Sequence, residues 1–237
     1  MVALQVSIGA LNDLVDVERD RGWKSRKPIP AGLVGRGSAR ITVAVGLLLG
    51  LALSASVGLA TLAVAIVGTA TGYLYDLRLK ATPWAWLPFA VGIPLLPVFA
   101  WVGATGRIPP AFALLIPLAV AAGAGIALTN GLADVERDRA AGLETPAIRL
   151  GPDRAWRIAA GLQAVVVLGT VGSLVVAGAS AVAFAVTAGG VGLALLGALL
   201  GRAADPRFRE RGWEAGAVGL GLLAAGWVIG LAGRGLL

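Results

Sequence analysis

The 237-residue chain has no cysteine and no histidine. Without thiols there can be no disulfide framework, no thiolate metal centre and no cysteine nucleophile. Without imidazole, any proton transfer or metal ligation must use Asp, Glu, Lys, Arg, Tyr or Asn. Aromatic residues make up only 6% and charged residues only 14%. What fills the chain is hydrophobic residues, 57% of the total, gathered into runs of about twenty, the length that crosses the hydrocarbon core of a bilayer. Gly 35 suits helices packed backbone to backbone in lipid, and the alternating ten-residue pattern of a membrane barrel is missing. The fold class is therefore all-α, a polytopic transmembrane helix bundle.

Seven full spans are expected at about 40–55, 57–76, 84–103, 109–133, 156–178, 181–200 and 213–233, joined into a single domain over residues 1–237. Residues 1–11, MVALQVSIGAL, are apolar but only half a span long, and read as the end of a helix that begins upstream. The connections alternate between the two sides of the membrane. On this map 18 of the 20 Lys and Arg residues, among them Arg36, Arg40, Arg202 and Arg209, fall on one side, with Arg107 and Arg234 alone on the other. That asymmetry assigns the basic side to the cytoplasm. The net charge of +7 is then explained by basic loops facing anionic lipid rather than by nucleic acid. Trp23, Trp84, Trp86, Trp101, Trp156 and Trp213 fall near span ends, as interfacial anchors do.

One polar cassette stands out of this background. NDLVDVERDR at residues 12–21 recurs as NGLADVERDR at residues 130–139. Asn12, Asp16 and Asp20 are four residues apart, which stacks them on one helix face, and Asn130, Asp134 and Asp138 repeat the pattern. Pro28 follows Asp20 by eight residues, and Pro146 follows Asp138 by eight. The repeated unit thus covers about 12–32 and 130–151, and points to an internally duplicated bundle. Four spans separate the copies, so both belong at cytoplasmic helix ends and can face one another. Asp13 has no counterpart, because Gly131 replaces it.

Carboxylates at the mouth of a lipid-embedded bundle are costly unless paired or metal-bound, so they mark a functional site. Oxygen ligands without His or Cys select a hard cation, and Mg²⁺, which commonly bridges carboxylates to substrate phosphates, is the natural choice. Acids alone would repel a diphosphate. Candidate balancing cations are Arg21, Lys24, Arg26, Lys27, Lys80 and Arg139, with Lys27 in KPIP and Lys80 in YDLRLK favoured over residues that serve only the topology. Glu18 and Glu136 lie off the Asp face and are expected in solvated ion pairs.

The NDxxDxxxD pattern, the basic-Pro loop closing in PAG, a Tyr followed by Lys after the next-but-one span and the second DxxxD together resemble the UbiA superfamily of intramembrane prenyltransferases. The resemblance covers essentially the whole chain, except that the family's first helix and most of its second are absent from it. It implies a nine-helix bundle whose cytoplasmic mouth binds Mg²⁺ and an isoprenyl diphosphate and whose apolar interior receives the isoprenoid chain. Carried over residue by residue, it implies metal ligands Asn12, Asp13, Asp16, Asp20, Asp134 and Asp138. Among these Asp16, Asp20, Asp134 and Asp138 are expected to be catalytic. The diphosphate would meet Asn12, Lys27, Tyr75, Lys80, Asn130 and Arg139. The implied reaction transfers the isoprenyl group to an acceptor, expected to be aromatic, with no obligate protein partner.

Other readings are a transporter or lipid-binding bundle, a CDP-alcohol phosphotransferase, and an inactive short member of the family. Transporters place polar groups near mid-membrane, whereas these acids gather at one interface. The phosphotransferase signature of the Asp-Gly-Ala-Arg type is missing. Soluble isoprenyl diphosphate synthases are excluded by hydropathy.

Overall fold

A computed structural model describes residues 1–20 and 27–237. The candidates Arg21, Trp23, Lys24 and Arg26, and the side chain of Arg19, lie outside the described residues. Helices α1 (Val2–Asp20), α2 (Arg36–Val57) and α3 (Leu59–Leu74) are followed by a π-helical turn, Tyr75–Leu79, that continues α3. Then come α4 (Leu87–Thr105), α5 (Phe112–Ala133), the short α6 (Val135–Ala140) and α7 (Pro146–Leu150), and the long α8 (Pro152–Val176), α9 (Ala181–Leu200) and α10 (Pro206–Ala232).

Seven helices are long and apolar enough to cross a membrane: α2, α3 with its π-turn, α4, α5, α8, α9 and α10. Only 17–33% of each apolar window is buried inside the protein. Side chains such as Leu59, Leu168 and Val176 face outward almost fully exposed, a surface that is stable only against lipid. The chain is an integral membrane protein. All seven expected spans are present. The largest displacement is in α10, which starts at Pro206 rather than near 213 because Asp205 caps it, accepting from the Arg207 amide at 2.9 Å. Its first two turns are polar, so hydropathy registers only the apolar remainder.

The sequence reads as one domain, while its contacts group into two compact units, Met1–Lys80 with Leu95–Arg107, and Ala81–Pro94 with Ile108–Leu237. The division passes through α4 at Pro94.

In the first unit α1 packs on α2 and α3. Gly46 and Gly50, one turn apart, make this possible: a Cβ on Gly46 would stand 2.8 Å from the Ala3 carbonyl oxygen, and one on Gly50 would collide with the Leu4 side chain. Small residues at this spacing bring helix backbones together in lipid, where hydrophobicity offers no drive. The fully buried Ser7 donates from Oγ to the Val43 carbonyl at 2.7 Å. Ser7 Oγ and the Tyr73 hydroxyl share a second bond of 2.7 Å, tying the three helices together. Each such interhelical bond contributes about 0.6–2 kcal/mol.

In the second unit α9 and α10 share the closest contact. A Cβ on Gly197 would lie 2.6 Å from the Gly212 carbonyl and one on Gly190 2.8 Å from that of Gly219. α5 packs on α8 and α10, and around its C-terminal end Leu128, Leu132, Val135, Ala147, Ala155 and Ala159 form a buried cluster. At the far end Trp227 is buried with Leu174 and Leu231 and donates from Nε1 to Ser173 Oγ at 3.1 Å.

Candidate active site

The first cassette is continuous helix to the end of α1. Asp16 and Asp20 are buried, and the structure shows which cations reach them. The segment after the described gap turns back on itself: Ala31 N donates to Lys27 O at 2.9 Å, and Leu33 N to Pro28 O at 2.9 Å. Gly32 supplies the positive φ (73°) that closes the turn. This compact KPIPAG turn sets the Lys27 ammonium against Asp20 Oδ2 at 2.7 Å and Asp13 Oδ1 at 2.9 Å. Burial is the largest single influence on Lys27 and lowers its pKa. The hydrogen bonds and charges of Asp20 and Asp13 together outweigh it, so the ammonium is held above the ordinary lysine value.

A second lysine arrives from α3. The π-turn closes with Lys80 N donating to Tyr75 O at 3.0 Å, a bond across five residues. That extra residue explains the five-position spacing between Tyr75 and Lys80. The turn carries Lys80 Nζ to 2.7 Å from Asp16 Oδ1 and 3.9 Å from Asp76 Oδ1. Asp76, which the sequence reading passed over, is itself buried and accepts from Asn12 Nδ2 at 2.7 Å. The signal for it was present: in YDLRLK an acid sits four residues before the lysine, at the end of an apolar span, where an acid rarely stands without a role. Tyr75 is half-buried at the start of the same turn.

The second cassette folds differently. α5 ends at Ala133, Asp134 adopts φ −103° and ψ 6°, and the chain restarts as α6. Asp134 and the buried Asp138 are served by a residue of their own turn: Arg137, also buried, bonds Asp134 Oδ2 at 2.5 Å and lies 3.9 Å from Asp138 Oδ1. Arg139, the expected cation, is exposed. Arg137 takes its place because residues three apart on a helix share a face. Asn130 is half-buried, and its carbonyl accepts the Asp134 amide at 3.3 Å.

Arg209, expected to serve only topology, is buried and pins this break. It donates from Nε to the Leu132 carbonyl at 2.9 Å, from Nη1 to the Ala203 and Ala204 carbonyls at 2.9 and 2.8 Å, and from Nη2 to Glu136. A helix that stops leaves its last carbonyls without intrahelical donors, and the guanidinium supplies one. Glu136 and Glu18 both stand exposed in ion pairs, as expected, Glu136 with the buried Arg209 and Glu18 with the exposed Arg36.

Among the described residues no three acids converge as closely as an ion requires. Ammonium and guanidinium groups stand between the carboxylates instead. These cations donate to carboxylate oxygens, and an all-oxygen set of ligands suits a hard cation such as Mg²⁺. Among the described residues the first cluster brings Asp13, Asp16, Asp20 and Asp76 together with the ammonium groups of Lys27 and Lys80. Asp76 Oδ2 is buried with no hydrogen-bond partner among the described residues. Carboxylates at such largely buried positions are stable only when paired or metal-bound.

With this geometry established, comparisons place the chain among known proteins. It is similar to the digeranylgeranylglyceryl phosphate synthase of Methanopyrus kandleri, 33% identical over 164 residues, covering 67% of this chain and 59% of that protein. It is also similar to the chloroplastic chlorophyll synthase of Arabidopsis thaliana, 29% identical over 190 residues, covering 75% of this chain and 49% of the plant protein. The chain thus spans between about half and three-fifths of these curated relatives. Among solved structures, the apo form of a UbiA homologue from Aeropyrum pernix K1 shares the fold with a TM-score of 0.76 and 21% identity, over 96% of this chain and 86% of that one. A UbiA homologue from Archaeoglobus fulgidus bound to GPP and Mg²⁺ has a TM-score of 0.64 at 20% identity, over 95% and 86% of the two chains. The model of the UbiA prenyltransferase family matches residues 1–214, and the chain belongs to that family.

Proposed function

We propose that this protein transfers an isoprenyl group from an allylic isoprenyl diphosphate to an acceptor within the membrane, with release of diphosphate and dependence on Mg²⁺. The observation that carries the reading is the meeting of Asp13, Asp16 and Asp20 of α1 with the ammonium groups of Lys27 and Lys80 at the end of apolar helices. Carboxylate oxygens beside ammonium donors suit a complex of a metal ion and a diphosphate, whose two parts carry opposite charge.

Asn12, Asp13, Asp16 and Asp20 in the first cassette, and Asp134 and Asp138 in the second, would hold Mg²⁺. When bound, the ion neutralises charge developing on the leaving diphosphate. The chain's own groups do the rest. Lys27 and Lys80 offer ammonium donors, Tyr75 a hydroxyl and Asn130 an amide to diphosphate oxygens, and Arg139 on α6 adds a guanidinium. The apolar spans exclude water from the electrophilic allylic carbon. The allylic C–O bond breaks with its electron pair leaving on diphosphate, and the acceptor's electrons form the new bond to carbon. With no histidine in the chain, the acceptor's proton passes to an Asp or to the departing diphosphate. The charge asymmetry of the connections supports a site mouth facing the cytoplasm.

The test incubates membranes containing the full chain with Mg²⁺ and labelled isoprenyl diphosphates of several lengths. The acceptor panel spans aromatic rings, as the sequence reading expects, and glycerol phosphates, which the archaeal relative's name contains. Product identified by mass, lost on chelation, supports the reading. Full turnover in chelator, or none with any donor, overturns it.

A further inference from the structure

One acid of the first cluster has no role in the reaction set out above. Asp76 lies on the π-turn, its side chain 1% exposed, and its two neighbours contact it unequally. Asn12 Nδ2 donates to Oδ1 at 2.7 Å, whereas Lys80 Nζ is 3.9 Å away and already bonded to Asp16 at 2.7 Å. Asp76 therefore acts mainly on Asn12. A carboxylate only accepts, so it must face the nitrogen end of the amide. With that end committed, the oxygen end is the one Asn12 presents elsewhere, and only an oxygen can ligate a hard cation.

We propose that Asp76 is a positioning residue that fixes the orientation of the Asn12 amide, so that Asn12 Oδ1 rather than Nδ2 is offered to Mg²⁺. This rests on the reading of the site given under Proposed function. The energetic reason is that an amide free to turn presents the wrong atom about half the time and must be ordered on binding, whereas a charge-assisted bond orders it beforehand. Outer partners of this kind typically govern 10- to 100-fold of metal affinity. The π-turn supplies the placement. It puts Asp76 and Lys80 four residues apart at the end of α3, where one meets Asn12 and the other Asp16 on α1.

The test measures Mn²⁺ binding by electron paramagnetic resonance on the full chain in detergent, with inorganic pyrophosphate present, for the parent, Asp76→Asn, Asp76→Ala, Asn12→Ala and the Asn12→Ala/Asp76→Ala double variant. Asp76→Asn retains an acceptor oxygen for the amide, so its affinity should stay within about threefold of the parent, while Asp76→Ala should lose about tenfold or more. In the Asn12→Ala background, Asp76→Ala should cost less than about twofold further, because its only route to the metal has gone. Equal losses for Asp76→Asn and Asp76→Ala would make Asp76 a direct ligand and overturn the proposal. So would the full loss persisting without Asn12, or Asp76→Ala lowering the unfolding temperature with affinity unchanged. A parent chain that binds no Mn²⁺ would instead retire the magnesium reading, which keeps the two failures distinct.

Discussion

The two cassettes share eight of ten residues but fold differently. In the first, the acids ride on an unbroken helix and, among the described residues, meet cations from other elements, Lys27 from a proline turn and Lys80 from a π-turn. In the second, the helix breaks at Asp134 and the cation, Arg137, belongs to the same turn as the acids. The position before the shared proline shows the same divergence. Lys27 in the first copy corresponds to Thr145 in the second, a buried hydroxyl without a hydrogen-bond partner among the described residues. Both copies keep the acids, while the described cations that meet them come from different elements.

The contrast is open to attack at several strengths. Removing the common element should hurt most: Asp16→Ala and Asp134→Ala are each expected to lower consumption of a labelled allylic diphosphate by about a thousandfold. Parental turnover in either variant would show that one copy is a relic. Next, Arg209→Ala should cost about 3 kcal/mol, since it strips charged donors from buried carbonyls. Arg36→Ala, which breaks the exposed pair with Glu18, should cost under about 1 kcal/mol. Thermal unfolding in detergent would rank them, and equal losses would erase the distinction between the two arginines. Lys80→Ala should then weaken pyrophosphate binding about tenfold, measured calorimetrically, with little change in assembly. Unchanged binding would return Lys80 to a topological charge.

The smallest effect concerns Lys27 and its counterpart. The Lys27 pKa is raised in the folded protein, so its stabilising contribution is complete below the ordinary lysine pKa of about 10.4 and disappears as pH rises through the higher folded value. An unfolding midpoint that falls more steeply in that alkaline window for the parent than for Lys27→Met would confirm the sign. Thr145→Val should be nearly neutral at every pH, within about 0.5 kcal/mol, because no bond is lost.

The spans were legible because a twenty-residue apolar run leaves few alternatives in lipid, and the acids because their spacing matched a helix turn. Helical spacing also held a signal that went unused: Arg137 stands three residues after Asp134, a neighbour on the helix face, whereas Arg139 is five away and exposed. Arg209 read as one more basic loop residue, because its value lies in carbonyls that become available only when α5 stops. Asp76 was obscured by its company, since attention fell on Tyr75 and Lys80 at either end of YDLRLK. The division of contacts within α4 had no marker beyond its prolines, Pro94 and Pro97.

The π-turn has a consequence for how such a site tolerates a change in chain length. Each residue of an α-helix turns the chain by about 100°, and the bond from Lys80 N to Tyr75 O accommodates one residue more than an α-turn would. Deleting Leu77 alone would let the turn close as ordinary helix, with the lysine four residues after Tyr75, on the same carbonyl and at nearly the same angle. The chain can thus gain or shed one codon here while the ammonium keeps its station beside Asp16.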